Sequence, residues 1–212
     1  REIEIWGNQA NLPKRPVSTI HFGGGTPTFL RVEQFTRLVK ALNDTFNISP
    51  QTEWAIESTS SDLDDEMVVY LTESGFSRLH VGIQSLDDQV RQLINRREKS
   101  SIVLEKINRF SNLGWIISVD MILGLPQQTI YSVLKDIQLL NDAGIDGYSL
   151  YELQISSRNH KFAMDHNLIN QSKILSYFMM QAASSYLSTN HFNKTMFNHF
   201  AKPRDTDLYF TF

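Results

Sequence analysis

The stretch Thr19-Ile20-His21-Phe22-Gly23-Gly24-Gly25-Thr26-Pro27-Thr28 runs a short apolar segment into three successive glycines. Val17 to Phe22 is β-branched and apolar, which predicts a buried strand, and glycines at its carboxyl end let the backbone approach a ligand closely. In α/β sheets and barrels, ligands gather at the carboxyl ends of the strands. Pro27 closes the loop, and apolar residues at Phe35, Leu38, Val39, Leu42 and Phe46 then give Val32 to Phe46 the spacing of one helix face. The loop lacks the Gly-Lys-Ser/Thr ending of a phosphate loop and is not GxGxxG. Taken alone, a run of three glycines is as consistent with a plain turn as with a ligand site.

Outward from this stretch, strand and helix patterns alternate. Glu53 to Glu57, Arg78 to Ile83, Trp115 to Leu123 and Gly147 to Leu153 read as strands. Helical spacing marks Leu63 to Ser74, which stops before Gly75, Ile102 to Leu113, which stops at Gly114, and Ile130 to Asp142, which stops at Ala143-Gly144. Asp87 and Asp88 fall where a helix first turn favours acidic side chains, and Asp62, Asp64, Asp65 and Glu66 form a similar acidic helix start. Each interval between strands can hold a crossover helix, so the pattern is a repeated βα unit with parallel strands, as in a doubly wound sheet or part of a (β/α) barrel. Glu57, Gln84, Asp120 and Gln154 each fall at or near the carboxyl half of a different strand, as do Gly23 to Gly25. Polar residues recurring at that depth are what a barrel active site requires. Their matched depth predicts that Gly24, Glu57, Gln84 and Asp120 gather round one cavity.

Composition narrows the function classes. The chain has 212 residues, 41% of them hydrophobic and 20% charged, enough to bury a sizeable core. A formal charge of -3 with Lys and Arg scattered gives no basic field for nucleic acid. No apolar run approaches the roughly 18 to 20 residues of a membrane span, and no signal segment opens the chain, so the reading is cytoplasmic. There is no cysteine, which excludes disulfides and any cysteine-held zinc or iron–sulfur site within these residues. The histidines, including His160, His166, His191 and His199, form no HxxxH or HxH pair beside a carboxylate, so no dedicated zinc site is expected. Phe178, Met179, Met180 and Tyr186 lie on a helical stretch from Lys173 to Ser188 and read as core, although a flat ligand edge could use the same surface. Arg1 to Trp6 reads as a helix already under way, leading into a polar loop from Gly7 to Pro16, and Leu208 to Phe212 as an apolar strand-like run; both ends read as cut.

An ordered set of segments resembles a known family. Phe22-Gly-Gly-Gly-Thr-Pro-Thr28, Ile56-Glu57, Gly75-Phe76-Ser77-Arg78-Leu79, Gly82-Ile83-Gln84-Ser85, Asn95-Arg96, Asp120 through Thr129, and Ser149-Leu150-Tyr151 look like the core of the radical S-adenosylmethionine enzymes of the oxygen-independent coproporphyrinogen III oxidase and haem chaperone group. His199-Phe200-Ala201-Lys202-Pro203 resembles the segment that follows that core; between Ile155 and Asn198 the resemblance fades. It implies an α/β fold, a partial (β/α) TIM-like barrel of the radical SAM type with parallel strands and its first strand missing. Residues 1–154 would be the core, and 155–212 the start of a substrate or accessory region. By resemblance, Gly24, Gly25 and Thr26 contact S-adenosylmethionine, and Glu57 binds the same molecule through ribose hydroxyls or the ammonium. Gln84, Arg96 and Asp120 match residues that hold a second S-adenosylmethionine near the substrate, and Gln154 matches a position whose contact runs through the backbone. For Arg96, beside Arg97, the plain alternative is a surface arginine.

The family holds a [4Fe–4S] cluster by a CxxxCxxC loop before the glycines, and this chain has none. Two explanations compete: a fragment beginning just downstream of that loop, which the abrupt ends favour, or a degenerate member that lost it. Either way the chain as it stands is expected to be inactive. The resemblance implies an oxidoreductase in which reductive cleavage of S-adenosylmethionine yields a 5′-deoxyadenosyl radical that abstracts hydrogen from a porphyrin- or haem-related substrate. An electron donor such as flavodoxin or ferredoxin would accompany it. A haem chaperone of the same family is the first alternative. An unrelated α/β barrel enzyme using Glu57 and Asp120 as acid and base is the more distant one.

Overall fold

The computed structural model describes residues 1–9, 14–168 and 172–205. The strand-like run expected at Leu208–Phe212 lies outside the described residues, as does part of the loop expected between Gly7 and Pro16. In chain order the elements are α1 (Glu2–Gly7), β1 (Thr19–Phe22), α2 (Val32–Thr45), β2 (Glu53–Ser58), α3 (Asp65–Glu73), β3 (Arg78–Gln84), α4 (Asp88–Leu93) and α5 (Ser100–Asn112). They continue with β4 (Ile116–Leu123), α6 (Ile130–Asp142), β5 (Gly147–Glu152), α7 (His160–Asp165), α8 (Lys173–Thr189), β6 (Asn193–Met196) and β7 (His199–Ala201). Single 3₁₀ turns cover Pro27–Phe29 and Ser60–Asp62. Every other strand and helix expected from the sequence is present among these. No described helix is long and apolar enough to cross a membrane.

The described residues divide into two compact units, one reaching from Arg1 to His80 and the other from Val81 to Asp205. In the first, β1, β2 and the start of β3 lie side by side, and β1 runs parallel to β2 with Thr19 to Phe22 opposite Glu53 to Ile56. The two-residue period of a strand sorts its side chains. Phe22 packs its ring 5.5 Å from Phe35 of α2 and 5.4 Å from Phe76, while Trp54 lies 5.3 Å from Phe76. This aromatic cluster fills one face of the strands. The alternate residues, His21, Glu53, Glu57, Arg78 and His80, are polar, and the contacts among them include Arg78 Nη2 to Glu53 at 2.9 Å and the His21 and His80 rings at 5.4 Å. Asp64 caps α3 by accepting from the Met67 N–H at 2.8 Å, which gives one member of the acidic cluster a definite structural task.

In the second unit the order is β3, β4, β5, β7, β6. β4 and β5 are parallel, with Ser118 to Leu123 opposite Gly147 to Glu152. β7 then runs antiparallel to β5 and to β6, a hairpin that follows the βα repeats. Ile117, Val119, Met121 and Leu123 of β4 are buried with Val133, Ile137 and Leu140 of α6. α6 starts where Thr129 and Ser132 exchange side-chain-to-backbone hydrogen bonds of 3.0 and 2.9 Å, a reciprocal cap. On α8 the expectation of an all-core face needs correction: Met179 is fully buried, but Phe178 is 54% exposed. Residues 176, 179, 183 and 187 form the buried stripe, so Phe178 falls one position off it.

Candidate functional site

In the first unit the glycine loop and Glu57 come together. β1 ends at Phe22, and Gly23 to Gly25 are exposed beyond it. The Gly24 N–H donates to Glu57 Oε2 at 3.2 Å, and Glu57 Oε1 lies 2.9 Å from His21 Nε2. The parallel register sets this up, because His21 stands opposite Ala55 and Glu57 follows two residues later on the same face. The three glycines have different reasons for being glycine. A Cβ on Gly23 would stand 2.7 Å from Glu57 Oε1 and 3.0 Å from His21 Nε2. Gly24 and Gly25 have φ of 76° and 61°, with nothing within 4 Å of where a Cβ would be. The loop therefore opens its backbone to solvent while the carboxylate behind it is held by an N–H and an imidazole. Thr26 leads into the 3₁₀ turn, its carbonyl accepting from the Phe29 N–H at 3.0 Å. Thr28 ties that turn to the end of β2: Ser58 Oγ donates to the Thr59 carbonyl, so the buried 2.8 Å contact has the Thr28 hydroxyl donating to Ser58.

In the second unit Gln84 and Arg96 come together. A Cβ on Gly82 would stand 2.9 Å from Gln84 Nε2 and 3.6 Å from Arg96 Nη2, so the glycine leaves room for both side chains. Gln84 ends β3 with φ of 69°, and Asn95, before Arg96, has φ of 59°. Arg96 is half-buried rather than a plain surface arginine. Asp120 is half-buried on β4, opposite Ser149 of β5. Gln154, just past β5, is exposed, and its carbonyl accepts from Asn159 Nδ2 at 2.9 Å. Gly24, Gly25, Thr26 and Glu57 thus belong to one compact unit and Gln84, Arg96, Asp120 and Gln154 to the other.

Three residues near these groups escaped the sequence reading. His21 carried a signal, a polar residue alternating with Phe22 in an otherwise apolar strand. Asp136 carried one too: it shares the stripe Val133, Ile137, Leu140 and is buried, accepting from Ser85 Oγ at 2.8 Å and the Leu86 N–H at 2.9 Å. Burial pushes its carboxyl above the usual value, against those two hydrogen bonds. Arg91, also buried, carried none, since its neighbours in the chain are those of any short helix.

The residues at the glycine loop suit S-adenosylmethionine. Open backbone at Gly24 and Gly25 admits a close ligand, and Glu57 offers a carboxylate to an ammonium or to ribose hydroxyls. They do not suit an iron–sulfur cluster, because the chain offers no thiolate.

Comparisons with known proteins bear on the family and the fold. The family model for the Radical SAM superfamily matches residues 3–140. The chain is 29% identical over 208 residues to oxygen-independent coproporphyrinogen III oxidase of Escherichia coli (strain K12), covering 96% of this chain and 45% of that protein. It is 31% identical over 159 residues to heme chaperone HemW of Bacillus subtilis (strain 168), covering 74% of this chain and 42% of that protein. The solved structure of coproporphyrinogen III oxidase (HemN) from Escherichia coli, described as a radical SAM enzyme, superposes with a TM-score of 0.86 at 26% identity, over 97% of this chain and 47% of that one. The chain spans less than half the length of these relatives. Its fold is the α/β fold of the radical SAM type expected from the sequence.

Proposed function

This chain belongs to the radical SAM superfamily, and on that premise we propose that it forms the S-adenosylmethionine-binding part of an oxidoreductase acting on a porphyrin- or haem-related small molecule. The observation that carries the cofactor assignment is the open backbone of Gly24 and Gly25 beside a carboxylate anchored by His21 and the Gly24 N–H. In this reading Gly24, Gly25 and Thr26 hold the methionyl end, and Glu57 accepts from the ammonium or the ribose. Gln84, Arg96, Asp120 and the backbone at Gln154 are assigned to ligand contacts in the second unit. S-adenosylmethionine supplies hydrogen-abstracting chemistry after one-electron reduction. The chain's own contribution is to bind and orient: His21 and the Gly24 N–H fix the carboxylate before the ligand arrives, so less ordering remains at binding. An electron donor such as flavodoxin or ferredoxin and a cytoplasmic setting belong to the same proposal.

The substrate class is supported by similarity to an oxidase of coproporphyrinogen III over 96% of the chain. Membership of the superfamily removes the reading as an unrelated acid–base barrel. A haem carrier is the second reading, supported by the 31% identity to a heme chaperone. Titration with S-adenosylmethionine, followed by the amide resonances of Gly24 to Thr26, tests the assignment. The chain should show a saturable shift, and Glu57→Gln should weaken the affinity about 10- to 150-fold, since a hydrogen bond to a charged group contributes about 1.5–3 kcal/mol. A titration that leaves those resonances unmoved rejects it. Saturable haem absorbance without any response to S-adenosylmethionine favours the carrier.

A further inference from the structure

Gln84 closes β3 in a left-handed backbone conformation, φ 69°, that residues with a Cβ rarely adopt. Such conformations persist where the surroundings over-determine them, and they cluster at ligand sites. Two buried charged side chains do the holding here. Arg91, 1% exposed, donates from Nη1 to the carbonyls of Ile83 at 3.1 Å and Ser85 at 2.9 Å, the residues on either side of Gln84. Its Nε donates to the Glu98 carbonyl at 2.9 Å. Asp136, 4% exposed, takes the Ser85 hydroxyl and the Leu86 N–H on a single carboxylate oxygen, at 2.8 and 2.9 Å. The turn after Gln84 is therefore gripped at four backbone or hydroxyl groups from two helices.

Arg91 reaches the second candidate as well. Its backbone carbonyl accepts the Arg96 N–H at 2.8 Å, so one residue fixes the chain at both Gln84 and Arg96. Gly82 leaves the space into which both side chains extend. Burying a guanidinium is unfavourable, and here it is compensated by carbonyls and by the charges of Glu98, Asp88 and Asp136. A simple turn needs no such arrangement, because glycine at position 84 would adopt the same backbone without help.

We propose that Arg91 and Asp136 are positioning residues: they hold Gln84 in its left-handed conformation and, through Arg91, set Arg96 beside it, so that an amide and a guanidinium meet S-adenosylmethionine as a preformed pair. This rests on the reading of Gln84 and Arg96 as ligand contacts, and the experiment separates the two. In the ligand-free chain, Arg91→Met and Asp136→Ala should move the Gln84 amide and Cα resonances away from left-handed values. Asp136→Asn should restore them, since its amide oxygen can accept both hydrogen bonds. In a titration with S-adenosylmethionine, Gln84→Ala and Arg91→Met should each weaken binding about tenfold, and the double variant should be little weaker than either, because coupled residues are not additive. If Arg91→Met does not fold, Arg91→Lys takes its place in the cycle. An additive cycle, or Gln84 resonances unmoved by Asp136→Ala, overturns the positioning role. Unweakened binding by Gln84→Ala overturns the contact reading instead, and the ligand-free resonances then decide the positioning role alone.

Discussion

Gly23 and Gly25 are two residues apart and are held to glycine by different physics. At Gly23 the obstacle is space, since a Cβ would meet Glu57 and His21 at 3.0 Å or less. At Gly25 the space is open and the obstacle is φ of 61°. Alanine should cost about 1–3 kcal/mol at position 23 by crowding and about 1–2 kcal/mol at position 25 by left-handed strain, read from urea unfolding. The causes separate in a second background. Glu57→Ala removes the two nearest atoms that crowd Gly23 and leaves His21 Nε2, so it should relieve Gly23→Ala in part and leave Gly25→Ala unchanged; equal relief at both positions would contradict the distinction. The glycines stood out in the sequence because their run is local and compact, and Glu57 because it is a polar residue near the carboxyl end of an apolar strand. The bond from His21 to Glu57 was not, because it spans 36 residues and depends on the strand register.

At the scale of the element, α6 shows how a readable helix can conceal a polar anchor. Its limits follow from Thr129 at the start and Ala143-Gly144 at the end, and Ile130–Asp142 is the span the spacing predicts. Asp136 interrupts the apolar stripe, and that interruption has a consequence for pH dependence. Its folded carboxyl is raised above the ordinary 3.8 by burial, so between 3.8 and the folded value the folded state binds more protons than the unfolded chain. The stability this group contributes is thus fully present below pH 3.8 and is lost as pH rises through the folded value. Asp136→Asn keeps the acceptor and removes the titration. Urea midpoints of parent and Asp136→Asn should diverge in favour of the variant as pH rises from about 4 toward 7; a gap that closes over that range would reverse the sign and refute the account. The β6–β7 hairpin, by contrast, was illegible. Asn193 to Met196 is exposed throughout and has no apolar alternation, so nothing in it carries the two-residue period of a half-buried strand.

At the scale of the whole chain, the segment after β7 closes back on strands far earlier in the sequence. Arg204 Nε and Nη2 donate to the two Asp146 oxygens at 2.5 and 2.7 Å, and Nη2 also reaches the Trp115 carbonyl at 3.2 Å. Asp146 Oδ2 accepts the Ile117 N–H at 3.0 Å, and Asp205 accepts from Ser118 Oγ at 3.1 Å. The sequence suggested a family segment from His199 to Pro203, but not what Arg204 just beyond it grips, since the partners lie 58 and 89 residues away. The pair is unequal, and the inequality is testable. Asp146 is buried, whereas the Arg204 side chain is 51% exposed. Arg204→Ala leaves a buried carboxylate with one backbone donor and should cost about 2–3 kcal/mol, below the 3–5 of a fully buried broken pair because water can enter where the guanidinium stood. Asp146→Asn keeps an acceptor for Ile117 and lets Arg204 turn to water, so it should cost about 1 kcal/mol. The sharper expectation concerns the double variant at pH 7. With Arg204 already gone, Asp146→Asn removes the uncompensated charge and should raise the urea midpoint above that of Arg204→Ala alone, and a further drop instead would mean that Arg204 works through packing and not by balancing the carboxylate.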